Sequence, residues 1–355
     1  MPGLVRSEFP VPMGEAVPDR SDPAPEVSVV LPTLDERSTI RDCLDSLLAQ
    51  DYPYIREILV VDGGSTDGTR QIVASAAPRV RLVDNPRVTA AAAMNVGLSE
   101  ATCDLIVRAD AHTLYAEDYI SRSVDALAAS GADWVGGRMR PVGGTAFGRA
   151  VAAATSSPFG VGPGRFHYSD TARDTDTVYL GTFDRSIVEE VGGYDEGRIQ
   201  WAAEDQELNF RLRRSGRRIR LDPEVRSWYF PRQTPRALWS QYFNYGVCKA
   251  STLAKHRTLP YWRPLAPASM VAATGVWVFC SIRRRNLLVA MVPGIAYVAG
   301  AGAVALRLGR NPGVAPHRAV GALAICHWAY GLGFWYGVGR AAAGLPFDTA
   351  PRRGR

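Results

Sequence analysis

Acidic side chains are missing from more than a third of this chain: residues 225–347 hold no Asp or Glu, against 14 Lys and Arg. A stretch like that is poor material for an aqueous surface. It suits a segment lying in or against a bilayer whose cytoplasmic face is anionic. The same pattern argues against nucleic acid as a partner, because the residues between these cations are apolar rather than polar and densely basic. Cysteine is also scarce, and the five present (Cys43, Cys103, Cys248, Cys280, Cys326) show no CxxC spacing. A disulfide framework and a zinc site are therefore not expected. Glycine has no fixed period, which excludes a collagen-like chain, and no internal repeat is apparent. The N-terminus lacks a charged start followed by an apolar stretch, so no secretory signal is expected, and the first half is expected to stay in the cytoplasm. Pro2, Pro10, Pro12, Pro18, Pro23 and Pro25 mark residues 1–26 as a disordered leader.

What is present divides in two. Residues 1–224 carry 34 Asp and Glu against 24 Lys and Arg, so the overall net charge of +6 conceals an acidic half and a basic half. The basic half contains three apolar runs without charge: Leu265–Ile282, Asn286–Leu306 and Ala319–Gly339. The last two are 21 residues each. At about 1.5 Å per residue, such lengths cross a hydrocarbon core of about 30 Å. The first run has Pro267 near its start and is dense only over Met270–Cys280, which also fits an interfacial or re-entrant segment. Arginine placement favours a hairpin of the last two runs with both ends cytoplasmic, leaving Arg283–Arg285 inside; three spans would put that triplet outside.

The acidic half alternates short β-branched runs with helical patterns. Val27–Leu31 reads as a strand and Ile40–Gln50 as a helix, with apolar Ile40, Cys43, Leu44, Leu47 and Leu48. The alternation continues through strands at Glu57–Val61, Val80–Val83 and Leu105–Arg108 and helices at Thr69–Ala77, Thr89–Leu98 and Tyr119–Ala129. The expected fold class is α/β, with a mostly parallel sheet flanked by helices. In open sheets of this kind ligands lie beyond the carboxyl ends of the strands. Thr33, Asp35 and Glu36 follow the first strand, Asp62 the second, and Asp110 and His112 the fourth. Any one of them serves equally well as a turn former or cap, as Asp35, Ser65 and Asp67 illustrate. Several carboxylates on one rim are costly unless a cation or hydrogen-bonding ligand shares the charge.

Asp110-x-His112 offers a carboxylate and an imidazole that could hold a divalent ion with coordination positions left for phosphate oxygens. Such an ion assists departure of a diphosphate. Asp62 could accept hydrogen bonds from a base or ribose. A second cluster, Glu204 and Asp205, opens a helix, where a carboxylate is held in place and can act as a general base.

Five segments in order carry a family resemblance: VSVVLPTLDE (27–36), VVDGGSTDGT (60–69), AAAMNVGL (91–98), RADAH (108–112) and WAAEDQELNFRL (201–212). Over Val27–Arg263 the chain resembles family-2 glycosyltransferases of the GT-A fold, and is most similar to bacterial exopolysaccharide enzymes of the succinoglycan-biosynthesis type. The resemblance implies that Pro32, Thr33, Glu36, Asp62 and Asp110 hold a nucleotide sugar. Asp110 and His112 would meet the diphosphate and its metal, Mn²⁺ or Mg²⁺. Asp205, beside Glu204, would be the acceptor base of an inverting single displacement. His112 replaces the second Asp of the family's usual Asp-x-Asp. Processive members carry Gln-x-x-Arg-Trp, whereas Gln241-Tyr242-Phe243-Asn244-Tyr245 lacks Arg-Trp, so transfer of a single sugar is expected.

The resulting layout is a catalytic domain over 27–227, an amphipathic interface segment over 228–264, membrane helices over 265–340 and a basic tail over 341–355. The expected acceptor is a lipid-linked saccharide, with Arg232, Arg236, Lys249, Lys255 or Arg257 near phosphates, and the expected place is the inner membrane. Polyprenyl phosphate is the nearer alternative acceptor. A non-catalytic membrane scaffold is the alternative of another class.

Overall fold

The computed structural model describes residues 24–76, 78–162, 164–197, 203–258 and 265–347. They divide into two units, the first Met1–Arg138, Thr171–Gly193 and Ser215–Ser227, the second Met139–Asp170, Tyr194–Arg214 and Trp228–Arg355. The expected leader up to residue 23 and the basic tail from residue 348 lie outside the described residues.

The first unit grows from the strand and helix alternation. It runs β1 (Val27–Thr33), α1 (Ile40–Leu48), β2 (Ile55–Asp62), α2 (Thr69–Ala74), β3 (Val80–Asp84), α3 (Ala90–Glu100) and β4 (Leu105–Arg108). β1 is buried without interruption from Val27 to Leu31, as a strand covered on both faces must be. α1 buries Ile40, Cys43, Leu44 and Leu47, one face of a helix. The Thr89 hydroxyl accepts from Ala92 N–H and caps α3. The small residues of α3 let it sit close on β1: a Cβ added to Gly97 would lie 2.3 Å from Val30 Cγ1.

Then follow β5 (Thr113–Tyr115), α4 (Tyr119–Ser130), β6 (Trp134–Pro141), α5 (Ala146–Thr155), α6 (Pro158–Val161), β7 (Arg173–Asp174), β8 (Tyr179–Asp184), α7 (Arg185–Glu190), α8 (Glu204–Arg214) and β9 (Ile219–Tyr229). The sheet has the order β3-β2-β1-β4-β8-β6-β9-β5, with β7 on β9. Its first four strands pair in parallel, and β8 then joins β4 antiparallel. The βα alternation of the first half announces the parallel part; the antiparallel extension comes from segments with no such signal. In the β1–β2 register Thr33 stands opposite Asp62, which aligns the ends of these strands.

The second unit is built around α9 (Pro235–His256), α10 (Leu265–Arg283), α11 (Leu287–Leu308) and α12 (Pro316–Ala342). α9 and α12 approach with almost no side chain between them. A Cβ on Gly333 would sit 2.0 Å from the Phe243 carbonyl oxygen, and one on Gly246 would sit 2.1 Å from that of Tyr330. α12 buries Ala319, Ala322, Leu323, Cys326, Ala329 and Phe334, and several of these join Val151, Ala154 and Leu238 in one core.

The three apolar runs differ in how they pack. Among the described residues the helices long and apolar enough to cross a membrane are α10 and α11, the first and second runs. The third run, expected to span, is a packing helix of the second unit. Its glycines and alanines face a partner helix, and they also leave it less apolar along its length than α10 and α11. On α10 and α11 apolar side chains face outward, with Leu288 81% and Leu306 68% exposed.

Candidate active site

Three loops meet at the carboxyl ends of the adjacent strands β2, β1 and β4. The first two are laced together. The Asp35 N–H donates to Ser65 Oγ at 2.8 Å, and the Thr66 N–H returns to Asp35 Oδ1 at 2.8 Å. Arg37 N–H reaches Asp67 Oδ2, and Glu36 N–H reaches Thr69 Oγ1, both at 2.9 Å. Asp35 takes φ 54, a left-handed conformation that a short polar side chain tolerates. Asp35, Ser65 and Asp67 therefore act as loop ties, the turn-forming role their residue types allow.

Asp62 ends β2 with no exposed side-chain surface. Its Oδ2 accepts from Gly64 N–H at 2.9 Å, Ser65 N–H at 3.0 Å and Arg70 Nη1 at 2.8 Å. Burial alone would raise its pKa; hydrogen bonds from Ser65, Arg70 and Gly64 outweigh that and hold the carboxyl below its ordinary value. Arg70 is held in turn by Asp84 at 2.8 Å. Pro32 and Thr33 close β1 beside it, and Thr33 is buried with its hydroxyl on the Leu31 carbonyl at 3.2 Å.

On the third loop the Asp110 N–H donates to Tyr115 Oη at 2.7 Å, and the Cys43 thiol meets the Asp110 carbonyl at 3.4 Å. The Asp110 carboxylate lies 3.8 Å from Arg108. His112 Nδ1 stands 3.4 Å from Glu36 Oε1, which also brings β1's loop to β4's. Among the described residues no three His, Cys, Asp or Glu side chains form a metal cage. Asp110, partly exposed beside His112, fits a divalent ion of the Mg²⁺ or Mn²⁺ kind, which takes one or two protein donors and fills its shell with phosphate oxygens and water.

Glu204 and Asp205 open α8 in the second unit. Glu204 is 6% exposed, whereas Asp205 is half-buried. Gln206, next in line, accepts from Lys249 Nζ at 2.9 Å. Gln241 Nε2 donates to Tyr229 Oη and Tyr245 Oη, each at 3.2 Å. Gln241, Tyr245 and Lys249 recur every four residues and share one face of α9. Burial, then the nearby Tyr229 and Asp205, push the Tyr245 hydroxyl far above its ordinary pKa.

Glu207 stands outside the residues that the motifs single out. Its carboxylate is wholly buried and accepts from Arg211 at 3.0 and 2.7 Å, Lys255 at 2.7 Å and His256 at 2.8 Å. Lys255 also meets Asp195 at 2.7 Å, so it is committed to carboxylates rather than held ready for a phosphate. Only the Glu207–Arg211 pair, four apart on a helix, had a local signal. Trp201 and Ala202 of the same motif lie outside the described residues.

A family model described as glycosyl transferase family 2 matches residues 28–191. The succinoglycan biosynthesis protein ExoA of Rhizobium meliloti is 34% identical over 312 residues, covering 86% of this chain and 93% of that protein. A dolichyl N-acetyl-alpha-D-glucosaminyl phosphate 3-beta-D-2,3-diacetamido-2,3-dideoxy-beta-D-glucuronosyltransferase of Methanococcus voltae is 24% identical over 241 residues, covering 64% of this chain and 74% of that one. Among solved structures, a mannosyltransferase of Pyrobaculum calidifontis in complex with GDP-Man and Mn²⁺ matches with a TM-score of 0.54 at 22% identity, covering 91% of this chain and 90% of its own. That last likeness speaks for the fold.

Proposed function

The chain belongs to glycosyl transferase family 2, has a GT-A-like fold, and on that premise we propose inverting transfer of a single sugar from a nucleoside-diphosphate sugar to a hydroxyl of a lipid-linked saccharide. The product would enter exopolysaccharide or cell-envelope glycan synthesis at the cytoplasmic face of the inner membrane. The observation that carries this reading is the gathering of Thr33, Glu36, Asp62, Asp110 and His112 at the ends of three neighbouring parallel strands. Ligands of open α/β sheets bind at such a rim.

In this reading Pro32, Thr33, Glu36 and Asp62 hold the nucleoside, and Asp110 with His112 faces the diphosphate. A divalent ion at Asp110, Mn²⁺ or Mg²⁺, would neutralise charge on the departing diphosphate. Asp205 takes the proton of the acceptor hydroxyl, whose oxygen attacks the anomeric carbon as the bond to the diphosphate breaks on the opposite face. Configuration inverts, so an α-linked donor yields a β-glycoside. Glu204, more deeply buried than Asp205, holds the start of α8. The name of the Methanococcus voltae relative supports a saccharide on a lipid carrier as acceptor.

Donor binding is tested by warming the full-length protein with a panel of nucleotide sugars, with Mn²⁺, with Mg²⁺ and with chelator. At least one sugar nucleotide should raise the melting temperature in a metal-dependent way, and Asp110→Ala should weaken that protection. Equal protection with and without metal would remove the metal from the reading.

The apolar outer faces of α10 and α11 support insertion in a membrane. Crossing of both from a cytoplasmic catalytic domain puts Arg283–Arg285 on the far face, where the hairpin of the second and third runs would have kept them inside, and Arg307 and Arg310 on the cytoplasmic face. The chain should stay with membranes after alkaline carbonate extraction. Complete release would sink the inserted arrangement.

A further inference from the structure

The loop over 109–112, between β4 and β5, carries Asp110 and His112. Its first residue is pinned to the sheet, the Ala109 N–H donating to the Val30 carbonyl at 2.9 Å. From beyond the loop the Tyr115 side chain reaches back to Asp110. The Asp110 N–H donates to Tyr115 Oη at 2.7 Å, and the Tyr115 hydroxyl donates to the Asp110 carbonyl at 3.3 Å. One phenol thus holds both peptide groups that flank the Asp110 Cα, and with them the two backbone rotations that aim the carboxylate. The Cys43 thiol, from α1, gives the same carbonyl a second donor at 3.4 Å.

Tyr115 is itself fixed in place. It is buried, and its N–H donates to Ser46 Oγ at 3.2 Å, whose hydroxyl donates in turn to the Cys43 carbonyl at 2.7 Å. Its ring meets that of Tyr119 edge-on, with centroids 4.8 Å apart. A phenylalanine would fill the same space. A hydroxyl inside a protein is costly unless it is paired, and this one turns both its donor and its acceptor to a single residue. What the hydroxyl adds over a bare ring is control of the Asp110 backbone. The other end of the loop is held separately, by Thr113 Oγ1 and Tyr179 Oη at 2.6 Å.

We infer that Tyr115 is a positioning residue for the metal and the diphosphate, fixing the Asp110 backbone so that the carboxylate meets a divalent ion in one orientation. The inference rests on the proposed role of Asp110. An ion held by one or two protein donors, with phosphate oxygens and water completing its shell, has little else in the protein to fix it. The direction of the Asp110 carboxylate therefore decides how well ion and diphosphate fit together. Groups that orient a metal-binding side chain are worth about 10–100-fold in metal affinity. Tyr115 acts through the peptide and not on the carboxylate, so loss of its hydroxyl leaves charge and donor set unchanged and loosens only the aim.

The test is titration of the full-length protein in detergent with Mn²⁺, followed by electron paramagnetic resonance, in the presence of UDP, GDP, ADP, CDP or dTDP. The same nucleotides are titrated calorimetrically with chelator present. For a nucleotide that the wild type binds, Tyr115→Phe should raise the Mn²⁺ concentration at half-saturation about tenfold and leave the affinity in chelator within about twofold. Tyr179→Phe, which frees the other end of the loop, should raise it by less than about threefold, and Cys43→Ala, which removes one of two donors to the Asp110 carbonyl, should fall between. Melting temperatures without ligand separate these effects from unfolding, and if Tyr115→Phe does not fold, Cys43→Ala against Tyr179→Phe still decides. Equal losses with Mn²⁺ and with chelator would make Tyr115 a general support of the loop and overturn the inference. An unchanged Mn²⁺ titration in folded Tyr115→Phe would overturn it too, as would an equal effect of Tyr179→Phe. A wild type that binds nucleotide equally with and without Mn²⁺ would instead remove the metal from the reading, and this inference with it. Binding of none of the five would remove the donor reading beneath both.

Discussion

Asp205→Asn should lower the transfer rate about 10²–10⁴-fold, the usual worth of a positioned general base, while donor affinity changes by less than about twofold. The amide keeps the size of the carboxyl and much of its hydrogen bonding but accepts no proton at neutral pH. The split between rate and binding is the diagnostic part. The residues proposed to hold the donor belong to the strand ends of the first unit, and Asp205 to α8 of the second, so a substitution at one should leave the other's task intact. Glu204→Gln should have the smaller effect on rate, since Glu204 is 6% exposed and Asp205 half-buried. Initial rates with radiolabelled donor, alongside nucleotide titration, would settle it. Wild-type turnover in Asp205→Asn would end its assignment as the base.

The second large effect is on stability. Glu207→Gln should destabilise the protein by about 3–5 kcal/mol, the range seen when one member of a buried ion pair is removed. The variant leaves Arg211, Lys255 and His256 around a neutral amide. Urea denaturation midpoints would measure the loss, and a shift within error of zero would refute it.

A pH dependence follows with a definite sign. Burial by itself raises the Glu207 pKa, but hydrogen bonds from Arg211, Lys255 and His256 outweigh it and bring the folded value below the ordinary 4.5. The unfolded chain therefore binds the proton more readily than the folded one does. The stabilisation is fully present above about pH 4.5 and drains away as pH falls through the lower folded value. Asp62, also depressed, adds to the same acid limb. Melting temperature measured from pH 7 down to pH 3 should fall less steeply in Glu207→Gln than in the wild type.

Cluster and sheet differ in how visible they were beforehand. β1, β2, β3 and β4 each lie in one short β-branched run bounded by turn residues, so their existence and parallel direction follow from the alternation with helices. The polar loop residues also sit where the alternation puts them, because every strand in a parallel arrangement ends on the same rim. The Glu207 cluster had no such handle. Asp195 and Lys255 are 60 residues apart in sequence, and nothing in either neighbourhood says that they meet.

The apolar runs look alike in sequence and pack differently. α10, α11 and α12 all read as uncharged helices, and the run broken by Pro267 looked the weakest. Length and hydropathy describe a segment alone, whereas burial depends on what stands opposite. The glycines at 246, 333 and 337 give α9 and α12 a close crossing, so α12 spends its apolar face on a neighbour while α10 and α11 keep theirs outward.

The chain's linear pattern thus determined the family, the α/β class and the set of strand-end residues, since these depend on periodicity and on motifs that are contiguous in sequence. Only the folded molecule decided which apolar helices are packed, which carboxylates tie loops together, and which hydrogen bonds hold Asp62. Those are properties of distances between segments remote in sequence, set by packing and by the direction of individual hydrogen bonds, and no local rule encodes them.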